Sequence, residues 1–245
     1  MINIVIPMAG EGSRFSKAGF IKPKPFIDVK GIPMIEHVIQ NVECVNSTFT
    51  LIGKKEHFLK EINLVNDLKK RYKTNIVEVD RLTEGTACTI LHSRKYINNN
   101  IPLLIANSDQ IVDINIQDFV DDCKIRNLDG SILTFEDPEK NPKWSFAKVN
   151  TDTKLVEKVK EKEAISSHAT VGIYLFSKGN YFIDYAIDMI ARNERVNNEF
   201  YTCPVYNYMI NDNKNVGIFE IEYSKMHGLG TPEDLENYLR KQDNI

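Results

Sequence analysis

The chain has few of the features that usually announce a function. Its 245 residues hold only four cysteines, Cys44, Cys88, Cys123 and Cys203, widely scattered and without a C-x-x-C pair. That spacing argues against zinc ligation and a disulfide framework, and predicts free, buried thiols. Basic residues are not in excess: 31 Lys and Arg stand against 34 Asp and Glu, a formal net charge of −3. The basic face that a nucleic-acid partner needs is therefore not expected. No apolar run approaches the ~18 residues of a membrane span, and an apolar stretch begins at Ile2 without a charged leader. Neither a span nor a signal peptide is expected, and a soluble cytoplasmic protein is. The five histidines are scattered, with no persuasive His-Asp or Cys-His pair to suggest a nucleophile and its base. There is no internal repeat, low-complexity tract or linker, and the length suits one large domain over residues 1–245 with a full core.

Two common nucleotide motifs are absent as well. No Gly-Lys-Ser/Thr follows a four-residue spacer, so there is no Walker loop, and Phe15 stands where a dinucleotide fingerprint wants its third glycine. What is present is a β-branched run, Ile2 to Ile6, turning into Pro7-Met8-Ala9-Gly10-Glu11-Gly12-Ser13-Arg14-Phe15. The glycines let the backbone approach a ligand, and outward N–H groups beside Arg14 suit a polyphosphate. About ten residues on comes Lys22-Pro23-Lys24-Pro25, where flanking prolines would hold Lys24 in place, and then Gly31-Ile32-Pro33-Met34.

The remaining pattern alternates strands and helices. Met34, Ile35, Val38, Ile39 and Val42 recur at helical spacing, Phe49 to Ile52 reads as a strand, Glu56 to Tyr72 as one helix and Asn75 to Val79 as a strand. A helix is expected from the small residues Gly85, Thr86 and Ala87 through Ile97. Pro102 to Ala106 is apolar throughout, as a buried central strand should be, and ends in Asn107-Ser108-Asp109-Gln110. Asp109, at the carboxyl end of that strand and opposite the Arg14 loop, is either a helix cap or a hard oxygen ligand for Mg²⁺. Strands are further expected at Gly130 to Phe135, Val156 to Val159, Val171 to Phe176 and Val216 to Ile221, and helices at Asn115 to Asn127 and Asn180 to Asn193. Arg195 to Tyr201 is expected to open another helix from an asparagine cap, and Thr231-Pro232 to open the last. The fold class that follows is a single-domain three-layer α/β sandwich with a mostly parallel, Rossmann-like sheet and ligands at the strands' carboxyl ends.

The joint pattern G-x-G-x-R, Lys-Pro and Gly-x-Pro-Met resembles the nucleotidyltransferase family that activates sugar phosphates and similar metabolites. The resemblance implies a GT-A-like mixed sheet, a nucleotide-binding half at about 1–113 and an acceptor-binding half at about 114–245. It implies that Arg14 holds the β- and γ-phosphates, Lys24 the α-phosphate and Asp109 the Mg²⁺, these three being the catalytic candidates. It places Met8, Ala9, Gly10, Gly12, Ser13, Thr83, Gly85, Thr86, Ala87 and Ser108 around the nucleotide, the segment at 83–87 against the base. Trp144, the only tryptophan, with Glu161, Lys162, Gly172, Tyr174, Asn198 and Glu199, would meet the acceptor.

The chain departs from that pattern in one respect. Relatives commonly carry a second metal-binding aspartate just before the Thr-Pro-Glu-Asp-Leu helix, where this chain has Gly228 and Gly230. Glu199 could supply the carboxylate, or the ion could rest on Asp109, phosphates and waters. The whole-chain pattern looks like the branch found in bacterial capsule and surface-polysaccharide pathways. The expected partners are a nucleoside triphosphate and a phosphorylated small molecule. A glycosyltransferase can share the sheet but has no use for the Arg14 and Lys24 pair, since its donor carries no γ-phosphate. A non-catalytic nucleotide sensor is the other alternative. Tyr206, Tyr208 and Met209 read equally as core or as the patch of a homodimer.

Overall fold

The structure, a computed structural model, describes residues 1–243. In chain order the elements are β1 (Ile2–Pro7), α1 (Ser13–Lys17), β2 (Asp28–Val29), β3 (Ile32–Pro33), α2 (Met34–Val42), β4 (Ser47–Lys54), α3 (Lys55–Lys60), α4 (Ile62–Arg71) and β5 (Thr74–Val79). There follow α5 (Thr86–Leu91), α6 (Arg94–Ile97), β6 (Leu103–Ala106), β7 (Gln110–Val112), α7 (Ile116–Ile125), β8 (Gly130–Glu136), β9 (Ser145–Val149), β10 (Val156–Glu161) and β11 (His168–Phe176). The chain closes with α8 (Gly179–Ala191), α9 (Val205–Asn211), β12 (Val216–Ile221), β13 (Met226–Gly228) and α10 (Pro232–Asp243).

Among the described residues nine strands form one mixed sheet, with β1 in its centre between β4 and β6. β1 runs parallel to both, Ile4 lying opposite Phe49 on one side and Leu104 on the other. β5 extends this parallel half beyond β4. On the far side β11 turns antiparallel to β6 and β8, β12 runs parallel to β8, and the β9 and β10 pair completes the edge. Alternation along β1 explains the layering: Ile4 and Ile6 join one apolar cluster with Ile35, Val38 and Phe119, while Val5 joins another with Ile90, Phe182 and Tyr206. Helices thus cover both faces of the sheet, the three-layer α/β arrangement.

Several boundaries differ from the sequence pattern. The helix expected at 56–72 breaks at Glu61, whose backbone (φ −114°, ψ 31°) is not helical, and the one expected through Ile97 divides into α5 and α6. Residues 195–201 are not helical. Val196 and Glu199 exchange backbone hydrogen bonds of 3.0 and 2.9 Å, and Asn197 and Asn198 both have positive φ, so this is a tight reversal of the chain. Tyr206, Tyr208 and Met209 are buried against the sheet and are therefore core. No helix among the described residues is long and apolar enough to cross a membrane.

Candidate active site

The carboxyl ends of β1 and β6 lie side by side, and the chain leaving them reaches a cleft of about 810 Å³, through Arg14 after β1 and through Asn107, Asp109 and Gln110 after β6. After β1 the chain passes Met8 and Ala9, which are buried beneath the loop, Met8 donating its N–H to Ile52 C=O at 2.8 Å. Gly10 and Ser13 are exposed above them. Gly12 caps α1 in the left-handed region at φ 61°. The loop is pinned from the side by an ion pair between Glu11 and Lys54, at the end of β4, which holds the Glu11 carboxyl below its usual range. Among the described residues no acceptor takes the backbone N–H groups of residues 10 to 13. They are available to an anion, and Arg14 on the first turn of α1 lines the cleft beside them.

Asp109 enters from the loop after β6 and forms an ion pair with Lys24, which opens a short 3-10 turn at Lys24–Phe26. Arg14 and Asp109 thus line the same cleft, and Lys24 joins them through its ion pair with Asp109. Among the described residues Lys22 forms no ion pair or side-chain hydrogen bond with them. Ser108 precedes Asp109 in the same loop, half-buried. Asn107 anchors the loop to β11: its N–H donates to Gly172 C=O at 3.1 Å and its side-chain amide to Gln110 at 3.0 Å. A Cβ on Gly172 would fall 2.2 Å from the Asn107 amide nitrogen and 2.3 Å from the Gln110 oxygen, so only glycine admits this arrangement.

The segment at 83–87 is held by the chain before α9. Phe200 donates its N–H to Glu84 C=O at 2.8 Å and accepts from the Ala87 N–H at 2.9 Å. Gly85, at φ 121°, lies so close that a Cβ would fall 2.4 Å from the Phe200 oxygen. Thr83 donates its hydroxyl to Gly85 C=O at 3.1 Å, and Thr86 accepts from the Thr202 hydroxyl at 3.1 Å. Thr86 lines the cleft, whereas the Ala87 side chain is buried beneath it.

The opposite end of the cleft carries Trp144, Glu161, Lys162, Gly172 and Tyr174. Trp144 is half-buried, edge-on to Phe135, with Lys143 over its ring at 4.5 Å. Ser145 donates its hydroxyl to Glu161. Burial pushes the Glu161 carboxyl above its usual range, against the opposing pull of Ser145 and Lys162. Lys162 donates to the Tyr201 hydroxyl at 2.6 Å, a bond that raises the ammonium's pKa. Asn198 and Glu199 sit at the exposed tip of the reversal and are not among the cleft residues, though the Glu199 charge reaches Glu161.

The oxygens present fit a hard divalent cation. Asp109 already carries a cation, the Lys24 ammonium, and beside it Gly230 has no side chain, where a Cβ would fall 3.2 Å from Asp109 Oδ2. Among the described residues no group of three or more His, Cys, Asp or Glu is placed so that it could hold a metal ion by itself. Such an ion would take few protein ligands and complete its shell with phosphates and water, as Mg²⁺ does. Sequence reasoning passed over the fourth wall of the cleft, which α10 supplies through Asp234, Asn237, Tyr238 and Lys241. Their spacing of three to four residues was the available signal, but a polar stripe at that spacing also describes any solvated helix face. Tyr201, Thr202 and Cys203, from the loop before α9, were likewise passed over.

Comparison with known proteins places these features in context. Residues 4–240 match the family described as Nucleotidyl transferase. The chain is 27% identical to a Bifunctional protein GlmU of Methanococcus aeolicus over 176 residues, 71% of this chain and 40% of that protein. It is 33% identical to a Glucose-1-phosphate adenylyltransferase of Clostridium acetobutylicum over 122 residues, 48% of this chain and 31% of that protein. The chain thus spans less than half the length of these curated relatives. The crystal structure of a nucleoside-diphosphate-sugar pyrophosphorylase from Vibrio cholerae RC9 superposes with a TM-score of 0.83 at 24% identity, covering 97% of this chain and 99% of that one.

Proposed function

Because the chain belongs to the nucleotidyl transferase family, we propose that it transfers a nucleoside monophosphate from a nucleoside triphosphate to a phosphorylated small molecule, releasing pyrophosphate. The observation that carries this reading is that Arg14 and Asp109 line one cleft, with Lys24 paired to Asp109 and the N–H groups of the loop before Arg14 left without acceptors among the described residues.

The chemistry follows from charge. A phosphate monoester has a second pKa of ~6, so the acceptor oxygen is already largely ionised at neutral pH and needs no general base. That oxygen attacks the α-phosphorus. A new P–O bond forms, the bond to the β-phosphate bridging oxygen breaks, and its electron pair leaves with pyrophosphate. The chain has to bring two anions together, and Lys24 and Arg14 provide the cations that make this affordable. When bound at Asp109, Mg²⁺ supplies further positive charge against the triphosphate oxygens. Glu161 and Lys162 hold the acceptor's polar groups away from the phosphate loop.

For the finer identity we propose CTP as donor and phosphoglutamine as acceptor. This reading rests on the sequence resemblance to CTP:phosphoglutamine cytidylyltransferase, which makes CDP-glutamine for a capsular phosphoramidate group. The relatives named for glucose 1-phosphate favour a second reading, in which a sugar 1-phosphate is the acceptor, and phosphocholine with UTP or dTTP belongs to the same comparison. The test is a matrix of CTP, UTP, dTTP, ATP and GTP against phosphorylated sugars, phosphocholine and amino-acid amide phosphates, read as pyrophosphate release. The expected result is one productive row and column. Tight nucleotide binding with no turnover anywhere in the matrix would replace the enzyme with a nucleotide sensor.

A further inference from the structure

Beside Gly230, which also borders Asp109, stands a carboxylate that none of the readings above uses. We infer that Asp234, on the first turn of α10, is the second carboxylate of this site and holds the divalent cation together with Asp109; the inference rests on the nucleotidyl-transfer reading.

The local fold brings the two residues together. β13 pairs antiparallel with β7, setting Gly228 opposite Gln110, and Leu229 donates its N–H to Asp109 C=O at 2.7 Å. Residues 228–230 therefore run directly alongside Asp109, and α10 starts immediately after them. The point where a Cβ on Gly230 would lie is 3.2 Å from Asp109 Oδ2 and 3.7 Å from Asp234 Oδ2. A Cβ on Gly228 would lie 4.0 Å from Asp234 Cγ. Two carboxylate oxygens thus look onto one gap, and two residues without side chains keep it open.

Asp234 is held in this direction. Its Oδ2 accepts the Thr231 hydroxyl at 2.7 Å, and the Thr231 oxygen accepts the Asp234 N–H at 3.0 Å. The exchange is a helix-capping arrangement, and it accounts for the hydrogen bonds. It does not by itself account for a second carboxylate beside the place that Asp109 borders, in the cleft both residues line. Lys24 serves Asp109 alone. A hydroxyl donor behind a carboxylate is also how metal ligands are oriented. A cation seated in the gap would meet one oxygen from each side, leaving its remaining positions to phosphate and water.

The test measures metal binding rather than turnover. Mn²⁺ affinity is determined by electron paramagnetic resonance in the presence of α,β-methylene-CTP, for the wild type and for Asp234→Asn, which keeps the side chain's shape and the bond from Thr231. The expected result is Mn²⁺ binding weakened at least about tenfold, with a melting temperature close to that of the wild type. Restoration is expected in the double variant Gly228→Asp/Asp234→Asn, because an aspartate at 228 delivers a carboxylate to the same gap. Unchanged Mn²⁺ affinity in Asp234→Asn would reduce Asp234 to a helix cap and overturn the inference. If Asp234→Asn melts below the assay temperature, Asp234→Ser, which also caps helices, takes its place with the same two outcomes. A wild type that binds neither the nucleotide analogue nor Mn²⁺ would instead remove the transfer reading, and this inference with it.

Discussion

The Lys24 ammonium rests on Oδ2 of Asp109, so the cation proposed for the α-phosphate and the carboxylate proposed for the metal neutralise each other in the free protein. Both side chains are largely shielded, at 17% and 24% exposure. A metal approaching without nucleotide must displace the ammonium, whereas a metal arriving with a triphosphate offers Lys24 a new partner. Lys24→Ala is therefore expected to bind Mn²⁺ more tightly than the wild type in the absence of nucleotide. Its turnover should fall at least ~100-fold, by analogy with the loss of one oxyanion-stabilising donor. Pyrophosphate release and a Mn²⁺ titration on the same preparation check both. Near-normal turnover would remove Lys24 from the reaction.

Gly85 and Gly10 separate packing from ligand contact. Gly85 sits at φ 121° against the Phe200 backbone, so Gly85→Ala cannot keep the clamp between residues 84–87 and Phe200. Strain of this kind costs about 1–3 kcal/mol, which for a chain of this size lowers the melting temperature by several degrees. A Cβ on Gly10 has nothing within 4 Å. Gly10→Ala is expected to melt with the wild type and yet bind nucleoside triphosphate more weakly, because the added methyl stands where phosphate would approach the loop. Differential scanning calorimetry with and without nucleotide distinguishes the pair. A Gly85→Ala variant as stable as the wild type would contradict the clamp.

How much of this was legible follows from how far apart the cooperating residues are. The glycine turn after β1 and the placing of Lys24 could be read because glycine, arginine, lysine and proline act locally, each constraining a few neighbouring bonds. The Leu103–Ala106 strand could be read because a buried central strand is apolar on both faces. Asn197 and Asn198 misled because asparagine both caps helices and tolerates the left-handed region, and only the pairing of Val196 with Glu199 decides between them. The β7 and β13 pair joins two strands of three residues more than a hundred positions apart, too short to show alternation. Without that pairing, nothing in the sequence sets α10 against Asp109.

Tyr201 makes a similar long-range contribution at the proposed acceptor end. Its hydroxyl accepts from Lys162 at 2.6 Å, and this bond is the main reason the Lys162 ammonium titrates higher than usual. Tyr201→Phe removes the oxygen and leaves the ring that Lys162 covers at 4.6 Å. The loss of one such bond is worth about 1 kcal/mol, so the KM for the acceptor is expected to rise roughly fivefold. The KM for the nucleotide should stay unchanged. An equal rise in both would mean that Tyr201 supports the whole cleft and not the acceptor end.

Glu161 gives a pH signature independent of turnover. Burial disfavours its charged form, so the folded protein keeps the proton to a higher pH than the unfolded chain, where the carboxyl titrates near 4.5. Between those two points the folded state binds more protons, and stability falls as the pH rises through the window. Above the folded pKa the loss is complete and constant; below about 4.5 it is absent. Glu161→Gln never carries the charge and can still accept from Ser145, so it escapes the loss. Its melting temperature is expected to exceed the wild type's at pH 7–8, with the gap closing as the pH is lowered toward 4.5. With Glu161 in the acceptor role proposed above, the same variant should also weaken acceptor binding, because an amide oxygen accepts a hydrogen bond less strongly than a carboxylate does. A melting-temperature gap that persists unchanged down to pH 4 would mean that the substitution acts through packing, and that Glu161 carries no burial penalty in the folded protein.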